Sequence, residues 1–162
     1  MGGAVSKLVL YVIAIGAGIG FMMPSGRSST SEVEAVVTRP GERVETHITR
    51  APNGHFYVPA TVNGHLVRFM VDTGASMVAL TTDDAKRIGE DYSPDDFEVV
   101  GSGASGPVRG QDLRIDYVEI QGKRVSNVRA AVIEGLDVSL LGQSYLSRMR
   151  SIEIVGDEMI IR

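Results

Sequence analysis

One acidic side chain closes an apolar run in the first half of the chain, where residues 69–76 read Phe-Met-Val-Asp-Thr-Gly-Ala-Ser. A carboxylate at the end of an apolar strand must be hydrogen-bonded or share a proton, because desolvation disfavours its ionised form. Gly74 lets the backbone turn and can offer its N–H to the acid, and Thr73 can hydrogen-bond to a neighbouring chain. The three residues alone also fit an ordinary β-turn. Asp72 is therefore a candidate for acid–base chemistry that needs a second feature to support it.

That second feature is an apolar element ending in glycine, where residues 138–142 read Val-Ser-Leu-Leu-Gly. Taken alone, it is typical of a core strand. Together, the two elements resemble those of the single-domain, retroviral-type (retropepsin-like) aspartic peptidases, and the resemblance covers residues 44–162. An apolar segment near the N-terminus adds a resemblance to a bacterial, membrane-anchored branch of that group.

The resemblance implies a mostly β, small closed-barrel-like fold with one or two short helices, acting as a homodimer on polypeptide substrates. Asp72 would be catalytic, with Thr73 and Gly74 supporting it and with Leu141 and Gly142 close by. Two copies of the acid, one from each protomer, would share a proton. The ionised member would take a proton from water while the other donates to the peptide carbonyl. No metal or organic cofactor is implied.

A glycine-rich segment lies between the two elements, and residues 99–108 read Val-Val-Gly-Ser-Gly-Ala-Ser-Gly-Pro-Val. Its position matches that of the family's flap, a hairpin that closes over substrate, and glycines supply the turn freedom that such a hairpin needs. A plain flexible loop is the alternative. The predicted substrate-binding residues are Ala75, Ser76, Gly101, Ser102, Gly103, Ala104, Ser105 and Gly106.

Two departures from the retroviral pattern occur together. Retroviral members usually have an acid at the position of Ser76 and an arginine at that of Gln143, and these two groups pair near the dimer interface. Both positions are neutral here, so no charge is left unpaired. The dimer would therefore lack one source of strength.

Short alternating or β-branched runs separated by turn signals predict an all-β domain. Asn63-Gly64 is a strong hairpin signal. Thr82 is the expected N-cap of one short helix that stops at Gly89, and Ser144–Met149 is the expected second helix. The predicted strands are Phe56–Val62, Leu66–Val71, Val78–Leu80, Phe97–Val100, Leu113–Ile120, Val125–Ile133, Val138–Leu141 and Ser151–Arg162, the last of which would help build an intersubunit sheet.

An uncharged apolar run at Leu8–Met23 approaches the roughly 20 residues that a membrane-spanning helix needs. We expect residues 1–23 to be a membrane anchor, residues 24–43 a flexible spacer rich in Ser, Thr, Glu and Arg, and residues 44–162 the peptidase domain. A cleaved signal peptide is the alternative, because Lys7 gives the run a positively charged start.

The charges flanking this run indicate its orientation. Lys7 precedes it, whereas Arg27 follows it and is soon joined by Glu32 and Glu34. Because cytoplasmic flanks carry an excess of Lys and Arg, we expect a cytoplasmic N-terminus. The protein would then be a single-pass membrane protein with its catalytic domain on the periplasmic or extracytoplasmic side.

Composition narrows the remaining function classes. The chain has 162 residues and no cysteine, which excludes disulfides and thiol catalysis. Its net charge is −4 and its 16 basic residues are scattered, so we expect no nucleic-acid partner. His47, His55 and His65 lack the spacing of a metal site. Two alternatives stay open: a non-catalytic peptide-binding or scaffold module with the same fold, and a small barrel that binds lipid or another ligand at the membrane surface.

Overall fold

A computed structural model describes residues 44–103 and 106–162, in which β-strands dominate. The predicted mostly β fold with short helices is confirmed. The strands are β1 (Thr46–Thr49), β2 (Tyr57–Val62), β3 (His65–Val71), β4 (Val78–Leu80), β5 (Glu98–Gly103), β6 (Gly106–Ile120), β7 (Lys123–Ile133), β8 (Ser139–Leu141), β9 (Ile152–Val155) and β10 (Glu158–Ile161). The α-helices are α1 (Thr82–Arg87) and α2 (Gln143–Leu146), and one 3-10 helix spans Pro94–Asp96.

Six strands close into a barrel. They follow the order β2-β3-β8-β4-β7-β6, and β6 returns to β2 through the pairs Thr61↔Glu119 and Val62↔Val118. Closure leaves these strands without a free edge. The predicted closed-barrel-like fold is therefore confirmed, and β5 hangs on the outer side of β6 as one arm of a hairpin.

Apolar side chains at alternate positions of the barrel strands point to one face and form the core. In β2 and β3, for example, Val58, Val62, Val67 and Phe69 are buried. Tyr145 of α2 is also fully buried, and its hydroxyl donates to the Lys123 carbonyl at 2.7 Å. Burial raises the pKa of this phenol far above its usual range. The short helix α2 is thereby fixed to the barrel.

The boundaries of α1 differ by one residue from the prediction. Thr81, not Thr82, is the N-cap, and its hydroxyl accepts a hydrogen bond from the Asp84 N–H at 3.0 Å. Two adjacent threonines offer the same capping group, so their order along the chain could not distinguish them. The helix stops before Gly89, which has a φ of +80° as a helix-ending glycine often does.

The helix α2 begins at Gln143, one residue before the predicted start, and ends at Leu146 instead of Met149. The next residues continue as a turn in which the Met149 N–H donates to the Leu146 carbonyl at 3.1 Å. The start is earlier because Gly142 takes the extended N-cap position without a side-chain cap. No Ser, Thr, Asp or Asn marks this start in the sequence.

A second sheet has the order β1-β10-β9. The predicted run Ser151–Arg162 forms the hairpin of β9 and β10, which turns at Gly156 with a φ of +59°. Ile154 and Val155 on β9 are 54% and 65% exposed. This sheet therefore presents an apolar edge strand to solvent.

The predicted membrane anchor and spacer, residues 1–43, lie outside the described residues. Across residues 44–103 and 106–162, every helix is too short or too polar to cross a membrane.

Candidate active site

Two parallel strands bring the two sequence elements together. β3 and β8 pair in the register Met70↔Leu140 and Val71↔Leu141, so both strands end at the same edge of the barrel. The Asp72 N–H then donates to the Leu141 carbonyl at 3.1 Å. The loop that follows β3 and the glycine that follows β8 are therefore neighbours, although the sequence separates them widely.

The Asp72 carboxylate is held by its own loop. The Gly74 N–H donates to Asp72 Oδ1 at 2.9 Å, as the sequence predicts. A Cβ at position 74 would lie 3.2 Å from that same oxygen, so a side chain there would press on the carboxylate. Oδ2 has no hydrogen-bond partner among the described residues. One carboxylate oxygen is thus fixed while the other is open to a water molecule or a second acid.

The acid is less buried than expected. The sequence suggested a buried strand end, whereas Met70, Val71 and Asp72 are each half-buried in the single chain. The strand is fully covered only in its middle, at Val67 and Phe69. The reason is positional: the last residues of β3 reach the rim of the barrel, where the chain does not cover them on every side.

The loop after β3 is fixed from the other side by the start of α2. The Gln143 N–H donates to the Ala75 carbonyl at 2.8 Å, and Gln143 Nε2 donates to the Thr73 carbonyl at 2.9 Å. Gly142 is packed so tightly that a Cβ would lie 2.0 Å from the Met77 carbonyl oxygen. Gly142 thus packs directly against the backbone of the loop that carries Asp72, and this contact leaves no space for a side chain.

Two residues near this loop, Gln143 and Ser144, make contacts that the sequence does not indicate. Gln143 stood out only as a neutral replacement at an interface, and its bond to Thr73 within the same chain was not foreseen. Ser144 was not singled out, yet its hydroxyl accepts from the Val78 N–H at 2.9 Å and donates to the Arg129 carbonyl at 2.7 Å. No local pattern marks these contacts, because each of them joins segments that are separated in the chain.

The described part of the glycine-rich segment lies on the two paired strands β5 and β6, and its role as a flap stays a prediction. β5 and β6 pair as far as Gly103↔Gly106, with a register shift between Val99 and Gly101. At its base, the Arg109 guanidinium donates to the Phe97 carbonyl at 3.0 Å. The predicted residues Gly101, Ser102 and Gly103 are exposed, and Ser76 on the loop after β3 is exposed as well. Ala104 and Ser105 lie outside the described residues.

The chemistry available at this site is that of a carboxylate without a metal ligand set. In the described part of the chain, no three His, Cys, Asp or Glu side chains are grouped so as to hold a metal ion. His47 lies on β1, in contact with Glu45 at 3.3 Å and Glu158 at 3.0 Å. One half-buried carboxylate with an open oxygen can exchange a proton with water, but polarising a carbonyl at the same time needs a second acid.

Comparisons with known proteins agree with this geometry. Residues 58–145 match the family model described as aspartyl protease. An uncharacterized protein of Rickettsia prowazekii (strain Madrid E) is 34% identical over 88% of this chain, and one encoded in the cobV 5' region of a Sinorhizobium species is 34% identical over 78%. The chain spans only 57% and 55% of the lengths of these two relatives.

Two solved structures are similar in fold. A retropepsin-like aspartic protease from Rickettsia conorii superposes with a TM-score of 0.62 at 35% identity, over 73% of this chain and 90% of that one. The EIAV protease, solved with a bound inhibitor, superposes with a TM-score of 0.50 at 19% identity, over 62% of this chain and 93% of that one. The second likeness concerns the fold alone.

Proposed function

Since this chain belongs to the aspartyl protease family and has a retropepsin-like fold, we propose that it is an aspartic endopeptidase whose active site contains two copies of Asp72, one from each protomer of a homodimer. The observation that carries the proposal is the loop after β3. Its carboxylate accepts the Gly74 N–H at 2.9 Å, and its backbone is fixed to Leu141 at 3.1 Å. The other carboxylate oxygen of Asp72 is then available to the Asp72 of a second protomer.

The proposed reaction needs the two carboxylates to share one proton, because two close negative charges repel each other. The ionised Asp72 takes a proton from a water molecule as the water attacks the peptide carbonyl. The protonated Asp72 of the other copy donates its proton to the carbonyl oxygen, which gives a tetrahedral intermediate. This intermediate then breaks its C–N bond as the first Asp72 gives its proton to the leaving amine nitrogen and the second takes a proton back from a hydroxyl group of the intermediate. Gly74 holds the carboxylate orientation throughout, and Thr73 is exposed beside it and available to the second protomer.

Two further features support a homodimer acting on extended peptides. The edge strand β9 exposes Ile154 and Val155, and an exposed apolar edge of this kind is suited to pairing with a second chain. The hairpin of β5 and β6 carries exposed glycines at its end, which let a peptide backbone approach closely. An extended substrate would bind by main-chain pairing, with pockets for alternate side chains.

We also propose that Leu8–Met23 anchors the protein in a membrane and that the peptidase domain lies on the periplasmic or extracytoplasmic side. The support is the uncharged length of this run and the position of Lys7 before it. A reporter that works only outside the cytoplasm, fused after Arg162, should be active. Activity of a matched reporter that works only in the cytoplasm would contradict this orientation.

The peptidase proposal is tested by comparing the full-length protein with its Asp72→Asn variant on a library of extended peptides. Asparagine keeps an oxygen that can accept the Gly74 N–H, so the domain should stay folded, but it cannot take a proton from water. Cleavage should therefore be lost in this variant and kept in Asp95→Asn, which changes an exposed acid in the 3-10 helix. Pepstatin-type inhibitors should block the wild-type reaction.

Two results would contradict the proposal. Undiminished cleavage by folded Asp72→Asn would remove the acid from the mechanism. Peptide binding without cleavage by the wild-type protein would instead favour a non-catalytic peptide-binding module, since a fold by itself does not establish activity.

A further inference from the structure

The loop that carries the acid is closed by one residue of α2. Gln143 donates its backbone N–H to the Ala75 carbonyl at 2.8 Å and its side-chain Nε2 to the Thr73 carbonyl at 2.9 Å. These two carbonyls flank Gly74, the residue whose N–H holds the Asp72 carboxylate. Gln143 therefore fixes the Thr73–Gly74 peptide group, whose N–H orients the acid, and the peptide group that follows Ala75.

The chemistry of the contact requires a donor at the end of the side chain. The Thr73 carbonyl is an acceptor only, so the amide of Gln143 must present its nitrogen and not its oxygen. An ionised carboxylate at the same position would present only acceptors and would repel the carbonyl. A protonated carboxyl group could still donate one hydrogen bond.

Thr73 depends on this contact within one chain. It is exposed, and the bond from Gln143 is the hydrogen bond to Thr73 found among the described residues. Holding the peptide group that follows Thr73 therefore restricts the backbone from which its exposed side chain projects. The backbone of Ala75 is held by the same residue, so hydrogen bonds at two positions tie the segment from Asp72 to Ala75 to the start of α2.

We propose that Gln143 is a positioning residue of the active site: its side-chain amide fixes the Thr73 peptide so that Asp72 and Thr73 face the second protomer in a productive arrangement. This inference rests on the proposed peptidase function. The neutral side chain of Gln143 would thus orient the catalytic loop within one protomer before the second protomer binds.

The test uses the full-length protein with Gln143→Ala, Gln143→Glu and the control Gln121→Glu. Gln121 lies exposed in the turn between β6 and β7, so its variant makes the same charge change elsewhere. All assays are run at a concentration at which sedimentation shows each variant to be fully dimeric. Cleavage of one peptide is measured as kcat and KM from about pH 4 to pH 7.

Gln143→Ala should lower kcat by about threefold to tenfold at every pH, the size of one lost hydrogen bond, with a smaller change in KM. Gln143→Glu should approach the wild-type kcat near pH 4, where its carboxyl group can donate. It should lose about tenfold or more as the pH rises past the ordinary range of a glutamate, about 4.3. Gln121→Glu should follow the wild-type profile throughout.

Hydrogen exchange of residues 72–78, followed by mass spectrometry, gives a measurement that does not need activity. Exchange should be faster in Gln143→Ala than in the wild type and unchanged in Gln121→Glu. Equal exchange, or pH profiles of both Gln143 variants that match the wild type, would overturn the inference. A wild-type protein that cleaves nothing would overturn the proposed function instead, and the exchange result would then decide the role of Gln143 by itself.

Discussion

Gly142→Ala is expected to disable the catalytic loop by a steric clash with the backbone. A Cβ at this position would lie 2.0 Å from the Met77 carbonyl oxygen, 2.7 Å from the Met77 carbonyl carbon and 2.8 Å from the Ala75 carbonyl oxygen. All three atoms belong to the main chain, so no side-chain rotation can relieve the contact. Either the loop after β3 or the start of α2 must move.

The size of that movement follows from the distances. A carbon and a carbonyl oxygen approach to about 3.3 Å in favourable contacts, so a contact at 2.0 Å requires a shift of about 1.3 Å. Overpacking of this kind costs about 1–3 kcal/mol of stability. A misplacement of about 1 Å near reacting groups can cost about 100-fold in rate. Because Ala75 and Met77 lie on the catalytic loop, we expect both losses together.

The assay measures the free energy of unfolding by denaturant titration and kcat for one peptide on the fraction that is folded. Gly54→Ala is the control, because its Cβ would meet open space and only its φ of +86° is unfavourable for alanine. That control should lose about 1–2 kcal/mol of stability with kcat unchanged. A Gly142→Ala protein with wild-type stability and wild-type kcat would refute the steric reasoning.

Two further changes test the interactions that support the barrel. Ser139→Ala removes a hydroxyl that donates to Asp84 at 2.5 Å and accepts from the Thr81 N–H at 3.1 Å. The free energy of unfolding should therefore fall by about 1–3 kcal/mol. An unchanged denaturation midpoint would contradict this. Burial, with Asp116 and then Asp91 nearby, raises the pKa of Glu90, so its ionisation disfavours the folded state as the pH rises above the ordinary value of 4.5. Glu90→Gln should therefore raise the free energy of unfolding at pH 7, by less than about 1 kcal/mol because the side chain is only partly buried, and leave it unchanged at pH 4. An equal gain at both pH values would refute that explanation.

Much of the fold could be predicted because its signals are local. Asn63-Gly64 marks the turn between β2 and β3, and both residues have positive φ, at 48° and 89°. The strand Val78–Leu80 begins and ends as predicted, since its apolar run is short and bounded. Alternating or apolar runs and turn residues act within a few positions, so the sequence alone displays them.

Other features depend on partners distant in the chain. β6 begins at Gly106 instead of Leu113, because the second arm of the hairpin and the barrel strand are one continuous strand. Glycine is a weak strand former, but position 110 leaves no space for a side chain. A Cβ there would lie 2.2 Å from the Val132 carbonyl oxygen of β7. A local reading of glycine suggests a break, whereas the close approach of the neighbouring strand requires it.

The contacts of the candidate site likewise divide into local ones, which the sequence indicates, and long-range ones, which it does not. The bond from Gly74 to Asp72 spans two residues and was foreseen, whereas the bond from Gln143 to Thr73 joins segments that only the parallel pairing of β3 with β8 brings together. The resemblance to a family implied that Gly142 lies near the acid, but it did not give the steric cause that requires a glycine there. That cause needs the positions of backbone atoms in the loop that ends at Met77.

Mixing wild-type protein with Asp72→Asn shows whether each active site contains Asp72 from two chains. Full-length wild-type protein is allowed to exchange subunits with a ninefold excess of the variant, at a concentration at which both are dimeric. If the two forms pair at random, about one wild-type chain in ten finds a wild-type partner. Cleavage per mole of wild-type chain should then fall to about a tenth, whereas an unchanged value would show that one chain acts alone and would contradict the shared dyad.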